Sequence, residues 1–108
     1  MVFENPQDCT LIVQADREYR IAGGTIRAHP DSDVRPDGYP EKWLFHWPRA
    51  ETAILLEGGL REHVLGKAVR AILSDGQERT CEVPTIVGTD MVVHGVGPIT
   101  YVLRDVTP

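Results

Sequence analysis

Two hydrophobic runs separated by a short polar turn near the start of the chain predict two paired β-strands. Residues 9–15 (CTLIVQA) and 18–28 (EYRIAGGTIRA) are rich in isoleucine, valine, threonine and tyrosine, and a charged dipeptide separates them. Such runs around a short polar turn are typical of a β-hairpin. The Gly23-Gly24 pair interrupts the second run, and glycine inside a strand usually marks a bulge or a close approach of another group to the backbone.

A proline-rich loop and an aromatic strand are predicted next. Residues 30–40 contain three prolines and an Asp-Gly pair. They exclude a helix or a central strand, because proline fixes φ and lacks an N–H donor. In residues 42–47 (KWLFHW) large rings occupy every second position, so a strand here would place Trp43, Phe45 and Trp47 on one face.

The middle of the chain predicts the main helix. Over residues 60–73 (LREHVLGKAVRAIL) apolar residues recur at helical spacing, which leaves the polar residues Arg61, Glu62, His63, Lys67 and Arg70 on the solvent side. An alternative interpretation is open for the second half of this segment. The turn at Asp75-Gly76 could join residues 69–73 and 77–83 as the two strands of a hairpin.

The C-terminal third predicts further strands at 78–83, 90–95 and 99–106. Residues 50–57 fit either a short helix or a strand. Together these elements predict an α+β fold, in which the helix at about 60–73 covers one face of a small antiparallel sheet. With 108 residues and no linker-like tract, the whole chain is expected to form a single globular domain.

Composition narrows the classes of function. There are 16 acidic and 11 basic residues, and the formal net charge of -5 argues against nucleic acid as the partner. Cys9 and Cys81 form neither a disulfide framework nor a paired zinc motif, so both are expected to be reduced core residues. The chain shows no signal-peptide pattern and no stretch of roughly 18 apolar residues that could span a membrane. We therefore expect a cytoplasmic protein without a membrane partner.

The proline-rich loop contains candidate metal ligands, namely His29, Asp31, Asp33 and Asp37. Its Asp-x-Asp start is that of a calcium-binding loop. Such a loop also needs glycine at its sixth position and glutamate at its twelfth, where this chain has proline and lysine. Aspartate beside proline is common in turns, so we expect a solvated turn and no metal or other cofactor.

Spacing alone does not reveal a catalytic site. The histidines lack zinc-binding spacing, and no serine lies in a nucleophile elbow. If the protein is an enzyme, it would use His29, His46 or His63 with a neighbouring carboxylate as an acid–base pair, with or without a metal. A further alternative is an anion or nucleic-acid binder that uses the basic residues of the predicted helix, namely Arg61, Lys67 and Arg70.

The aromatic cluster is the strongest candidate for a functional surface. The cluster begins at the end of the proline-rich loop and consists of Tyr39, Trp43, Phe45 and Trp47. Rigid rings at a sheet edge are typical anchors for another chain, although a small core also uses such rings as filling. We therefore expect a small acidic, non-enzymatic interaction domain of the inhibitor, immunity, adaptor or accessory-subunit type. Residues 39–47 would dock on a partner protein or, in a homodimer, on a second copy.

Overall fold

The computed structural model describes residues 2–14, 17–47, 66–87 and 99–108. In this part of the chain, six antiparallel strands form a closed barrel in the order β1-β2-β3-β6-β5-β4, and β4 pairs with β1 to close it. A short 3-10 helix, Val2–Glu4, precedes the barrel. The strands are β1 (Gln7–Gln14), β2 (Glu18–Ala28), β3 (Lys42–Trp47), β4 (Ala68–Leu73), β5 (Glu78–Val87) and β6 (Ile99–Asp105).

The prediction of an α+β fold with a main helix at about 60–73 is wrong. The structure is an all-β barrel, and residues 68–73 form strand β4. No α-helix occurs among the described residues. The predictions for residues 50–57, 60–65 and 90–95 fall outside the described part of the chain.

Strand β4 forms because its residues fit the period of a strand as well as that of a helix. Val69, Ala71 and Leu73 occupy every second position and are buried inside the barrel. The following turn favours the strand, because Gly76 adopts a φ of 86°, a conformation that suits glycine in a tight hairpin. β4 also pairs with β1 and β5 on its two sides, which confirms the hairpin alternative.

The predicted N-terminal hairpin and the predicted aromatic strand are confirmed as β1–β2 and β3. The two glycines of β2 show both uses expected of glycine in a strand. The register of β1 against β2 shifts between Cys9 and Leu11, and Gly23 adopts a φ of 84° in the bulged strand opposite. At Gly24 an added Cβ would lie 2.4 Å from the ring of Phe45, so this ring packs directly on the backbone.

Strand β5 extends beyond the predicted strand at 78–83. Its register against β6 shifts between Glu82 and Thr85, and Pro84 lies at this irregularity. Proline cannot donate a ladder hydrogen bond, so a break in the register is where a strand tolerates it. Beyond the break the pairing resumes, and β6 corresponds to the strand predicted at 99–106.

The core fills the inside of the barrel with alternate residues of each strand. Its largest fully buried side chains include Trp43, Phe45 and Trp47 of β3 and Tyr101 of β6. β3 pairs with β2 on one side and with β6 on the other, so it is not an edge strand. A closed barrel has no free sheet edge, and the structure therefore removes the edge on which docking through the aromatic strand was predicted.

Candidate functional site

Three of the four aromatic residues expected at a partner surface lie inside the barrel. Trp43 and Phe45 are 0% exposed and Trp47 is 2% exposed. These three rings therefore fill the core, which was the alternative to a partner surface. Tyr39 lies on the proline-rich loop and is half-buried, with its ring stacked on Phe3 at 5.3 Å between centroids. Tyr39 therefore retains a surface that another molecule could touch. Partner binding by this group of residues stays a prediction.

A buried cluster of charged side chains lies at one end of the barrel, which we call the loop end because it carries the loop 29–41 and the C-terminal residues 105–108. Asp105 ends β6 and is buried. Its carboxylate accepts hydrogen bonds from Arg79 Nε at 2.8 Å and Arg35 Nη1 at 3.0 Å. It also accepts one from Trp43 Nε1 at 3.1 Å.

Asp37 connects the same arginines to the proline-rich loop. Its Oδ2 accepts a hydrogen bond of 2.8 Å from Arg79 Nη2, and its Oδ1 lies 3.4 Å from Arg35 Nε. The guanidinium of Arg79 also lies over the Tyr39 ring, 3.8 Å from the centroid. The carboxylate that the sequence offered as a metal ligand is therefore engaged by two arginines.

These charges stabilise one another. Burial by itself would raise the pKa of Asp105, but hydrogen bonds from Arg79 and Thr107 outweigh it and hold that pKa below its usual range. The hydrogen bond from Arg79 likewise lowers the pKa of Asp37. Burial by itself would lower the pKa of Arg79, but the hydrogen bonds to Asp105 and Asp37 outweigh it and raise that pKa. The cluster is ionised at neutral pH and fastens the loop and the C-terminal residues to the barrel.

The residues considered for catalysis are not assembled into a site in the described part of the chain. His29 Nδ1 accepts a hydrogen bond of 3.0 Å from the Asp31 amide, and His46 Nδ1 lies 3.0 Å from Thr100 Oγ1. In that part of the chain neither histidine forms a hydrogen bond or an ion pair with a carboxylate side chain, and His63 falls outside the described residues. Within the described ranges no three His, Cys, Asp or Glu side chains lie close enough to hold a metal ion.

The two cysteines are free and buried. Burial raises the pKa of Cys9 to about 12, and it also raises the pKa of Cys81. Both thiols are therefore protonated at neutral pH, which leaves them without the thiolate that nucleophilic chemistry needs.

An anion site was predicted on a helix at 60–73, but residues 68–73 of that segment form a strand. Arg70 lies on β4, where it forms ion pairs with Glu78 of the neighbouring strand β5 and with Glu18 of β2. Lys67 is an exposed residue just before β4, and Arg61 falls outside the described residues. Because residues 68–73 are a strand, Lys67 and Arg70 do not share the face of a helix, as that site required.

A surface on the outside of β3 and β6 has no counterpart among the sites predicted from the sequence. Lys42 and Arg104 lie directly opposite each other in the strand register, and Leu44 and Val102 are the next outward-facing pair. Arg27 of β2 lies opposite Leu44 on its other side. Lys42 and Arg104 are exposed, and the other three are half-buried. We call these five residues the β3–β6 patch.

The β3–β6 patch carries excess positive charge on an acidic protein. Lys42 and Arg104 are a like-charge cross-strand pair, an arrangement that destabilises a sheet unless anions neutralise it. Arg104 forms an ion pair with Glu82 of β5. Among the described residues, no other carboxylate forms an ion pair with a cation of this patch.

The patch continues into an open depression of about 370 Å³ at the loop end. Its lining residues are Arg35, Pro36, Glu41, Lys42, Arg104 and Asp105. Asp105 is already neutralised by Arg79 and Arg35, so it does not cancel the charges of Lys42 and Arg104. Alternation along 42–47 could have shown that Lys42 and Leu44 face outward. It could not have shown that β6 lies beside them.

Comparison with known proteins identifies no relative. No protein-family model, no curated protein and no solved structure matches this chain. In the part of the chain that the structure describes, no helix has the length and apolar character needed to cross a membrane.

Proposed function

We propose that the protein is a small non-enzymatic interaction domain that docks on a partner protein through the β3–β6 patch. The observation that carries this proposal is the combination of a half-buried apolar pair, Leu44 and Val102, with the cations around it. Protein interfaces place apolar side chains at the centre, polar groups at the rim, and are enriched in arginine. Both strands belong to a closed barrel, so little order has to be gained on binding.

A different partner is favoured over a second copy of this chain. In a symmetric dimer the same surface of both subunits meets itself. Two β3–β6 patches would then bring Lys42 and Arg104 of one copy close to those of the other, and like charges oppose such a contact. Light scattering coupled to size-exclusion chromatography measures the molar mass, and a dimer that Lys42→Glu alters would favour self-association.

We also propose that the protein acts in the cytoplasm. Cys9 and Cys81 are free thiols inside the core, which suits a reducing compartment. Fractionation of the source cells, followed by immunoblotting, tests the location directly. Recovery of the protein in a secreted or membrane fraction would contradict it.

The docking proposal is tested by capture with the tagged protein from an extract of the source cells, with quantitative mass spectrometry as the readout. The test variant combines Leu44→Thr with Val102→Thr, which removes apolar surface but keeps residues that suit a strand. The control is Lys67→Glu, an exposed change outside the five residues of the patch. We expect partners captured by the wild type and the control to be lost with the double variant. Identical capture by all three proteins would contradict docking through this surface.

A further inference from the structure

We infer that the β3–β6 patch binds an extended acidic peptide segment of the partner, with a carboxylate and an apolar side chain two residues apart. This inference rests on the proposed function and specifies the chemistry of the partner. It is carried by the register of β3 and β6, which aligns a basic pair and an apolar pair on one outer surface.

The basic pair has the geometry to hold one carboxylate. Side chains directly opposite in an antiparallel pair have Cβ atoms about 4.5 to 5.5 Å apart, so one anionic group can reach both Lys42 and Arg104. Without a ligand, the two cations repel each other, and Glu82 pairs with Arg104. A bound carboxylate gives Lys42 an ion-pair partner and shares Arg104 with Glu82, and the adjoining depression gives its side chain room.

The apolar pair fixes the spacing of the ligand. Leu44 lies two residues after Lys42, and Val102 lies two residues before Arg104 on the neighbouring antiparallel strand. Alternate residues of a strand face the same side and are about 6.7 Å apart. An extended segment laid along β3 therefore places Asp or Glu over the cations and Leu, Ile, Val or Phe two residues away over Leu44 and Val102.

The same surface favours a peptide over nucleic acid. Glu41 lines the depression beside Lys42, so a dense row of phosphates would meet a carboxylate there. The rings of these two strands, Trp43, Phe45 and Tyr101, are buried and cannot stack on bases. The net charge of -5 also repels a long polyanion, whereas one or two carboxylates meet the local cations.

The inference is tested with the full chain and fluorescein-labelled peptides by fluorescence anisotropy. The probe peptide repeats Glu-Ser-Leu-Ser, which gives the two-residue spacing. One control peptide has the same composition with Glu and Leu adjacent, and another has Lys in place of Glu. We expect saturable binding of the probe, at least fivefold weaker binding of the respaced peptide and no binding of the basic peptide. Raising the salt concentration should weaken binding of the probe.

Variants of the protein separate local contact from net charge. Lys42→Glu and Lys67→Glu change the net charge equally, but only the first lies in the patch. We expect Lys42→Glu to weaken probe binding at least tenfold and Lys67→Glu to change it less than twofold. Arg104→Gln is a second patch variant, with an expected loss of at least threefold. Thermal melts followed by circular dichroism establish that each variant is folded.

Three results would overturn the inference. Equal losses of probe affinity in Lys42→Glu and Lys67→Glu would show that binding depends on net charge and not on the patch. Tighter binding of a thymidine oligonucleotide of the same length would assign the patch to nucleic acid. Absence of probe binding, together with partner capture that the Leu44→Thr, Val102→Thr variant abolishes, would refute the acidic segment and leave the proposed function standing. If the Leu44→Thr, Val102→Thr variant also captures the same partners as the wild type, both proposals fail.

Discussion

The indole Nε1 of Trp43 donates a hydrogen bond of 3.1 Å to Oδ2 of Asp105 at the loop end of the barrel. This bond connects the aromatic strand to the buried charge cluster. A buried tryptophan usually needs a partner for its N–H, and here the partner is a carboxylate that two arginines also hold. Trp43 therefore contributes to the fold, both by filling the core and by satisfying Asp105.

Loss of the negative charge at the centre of the cluster should be strongly destabilising. In Asp105→Asn, Arg79 and Arg35 lose their charged acceptor at a buried position. Removing one partner of a buried ion pair typically costs about 3 to 5 kcal/mol. Urea denaturation followed by tryptophan fluorescence measures this loss. Asp8→Asn, an exposed change on β1, is the control and should stay within about 0.5 kcal/mol of the wild type.

Acid should weaken the fold through the same cluster. The folded-state pKa values of Asp105 and Asp37 are below their ordinary range. Such groups contribute stability above their unfolded pKa of about 4, and this contribution disappears as the pH falls through the folded pKa. We expect the melting temperature to fall below about pH 4, and to fall less steeply in Asp37→Asn. Equal slopes in the two proteins would contradict a contribution from Asp37.

The close approach of Phe45 to the backbone makes Gly24 intolerant of a side chain. A Cβ at this position would lie 2.4 Å from the ring, so Gly24→Ala forces the ring or the strand to move. Overpacking of this kind typically costs about 1 to 3 kcal/mol. The loss of stability caused by Gly24→Ala should be smaller in a protein that also carries Phe45→Leu. A double-mutant cycle based on urea denaturation measures this coupling. Additive costs would show that the ring does not cause the effect.

The hydroxyl of Tyr101 is buried beside the stacked ring of Phe45, and it has no hydrogen-bond partner among the described residues. A buried, unsatisfied polar group destabilises a fold, so Tyr101→Phe should leave stability unchanged or raise it by about 1 kcal/mol. Trp43→Phe is the comparison, because it removes a hydrogen bond to Asp105 as well as volume, and should lower stability by about 2 kcal/mol or more. A loss of more than about 1 kcal/mol in Tyr101→Phe would show that the hydroxyl has a partner.

The sequence by itself determined the elements whose local signals agree. Strand-favouring residues around a charged turn predicted β1 and β2, and alternation predicted β3. The Gly23-Gly24 pair predicted a bulge or a close approach, and the structure has a bulge at Gly23 and a close approach at Gly24. The proline-rich loop was also predicted, because proline acts on its own residue and its immediate neighbour. Each of these features depends on residues that are close together along the chain.

Only the tertiary structure decided the rest. Residues 68–73 fit two periods, and pairing with β1, far away in the sequence, favoured the strand. The rings of β3 are core because β2 and β6 cover both of its sides and close the barrel. Lys42 and Arg104 become a pair only through the register of β3 against β6. The physical reason is that alternation shows which residues share a face, whereas burial and cross-strand neighbours depend on which distant strands pair.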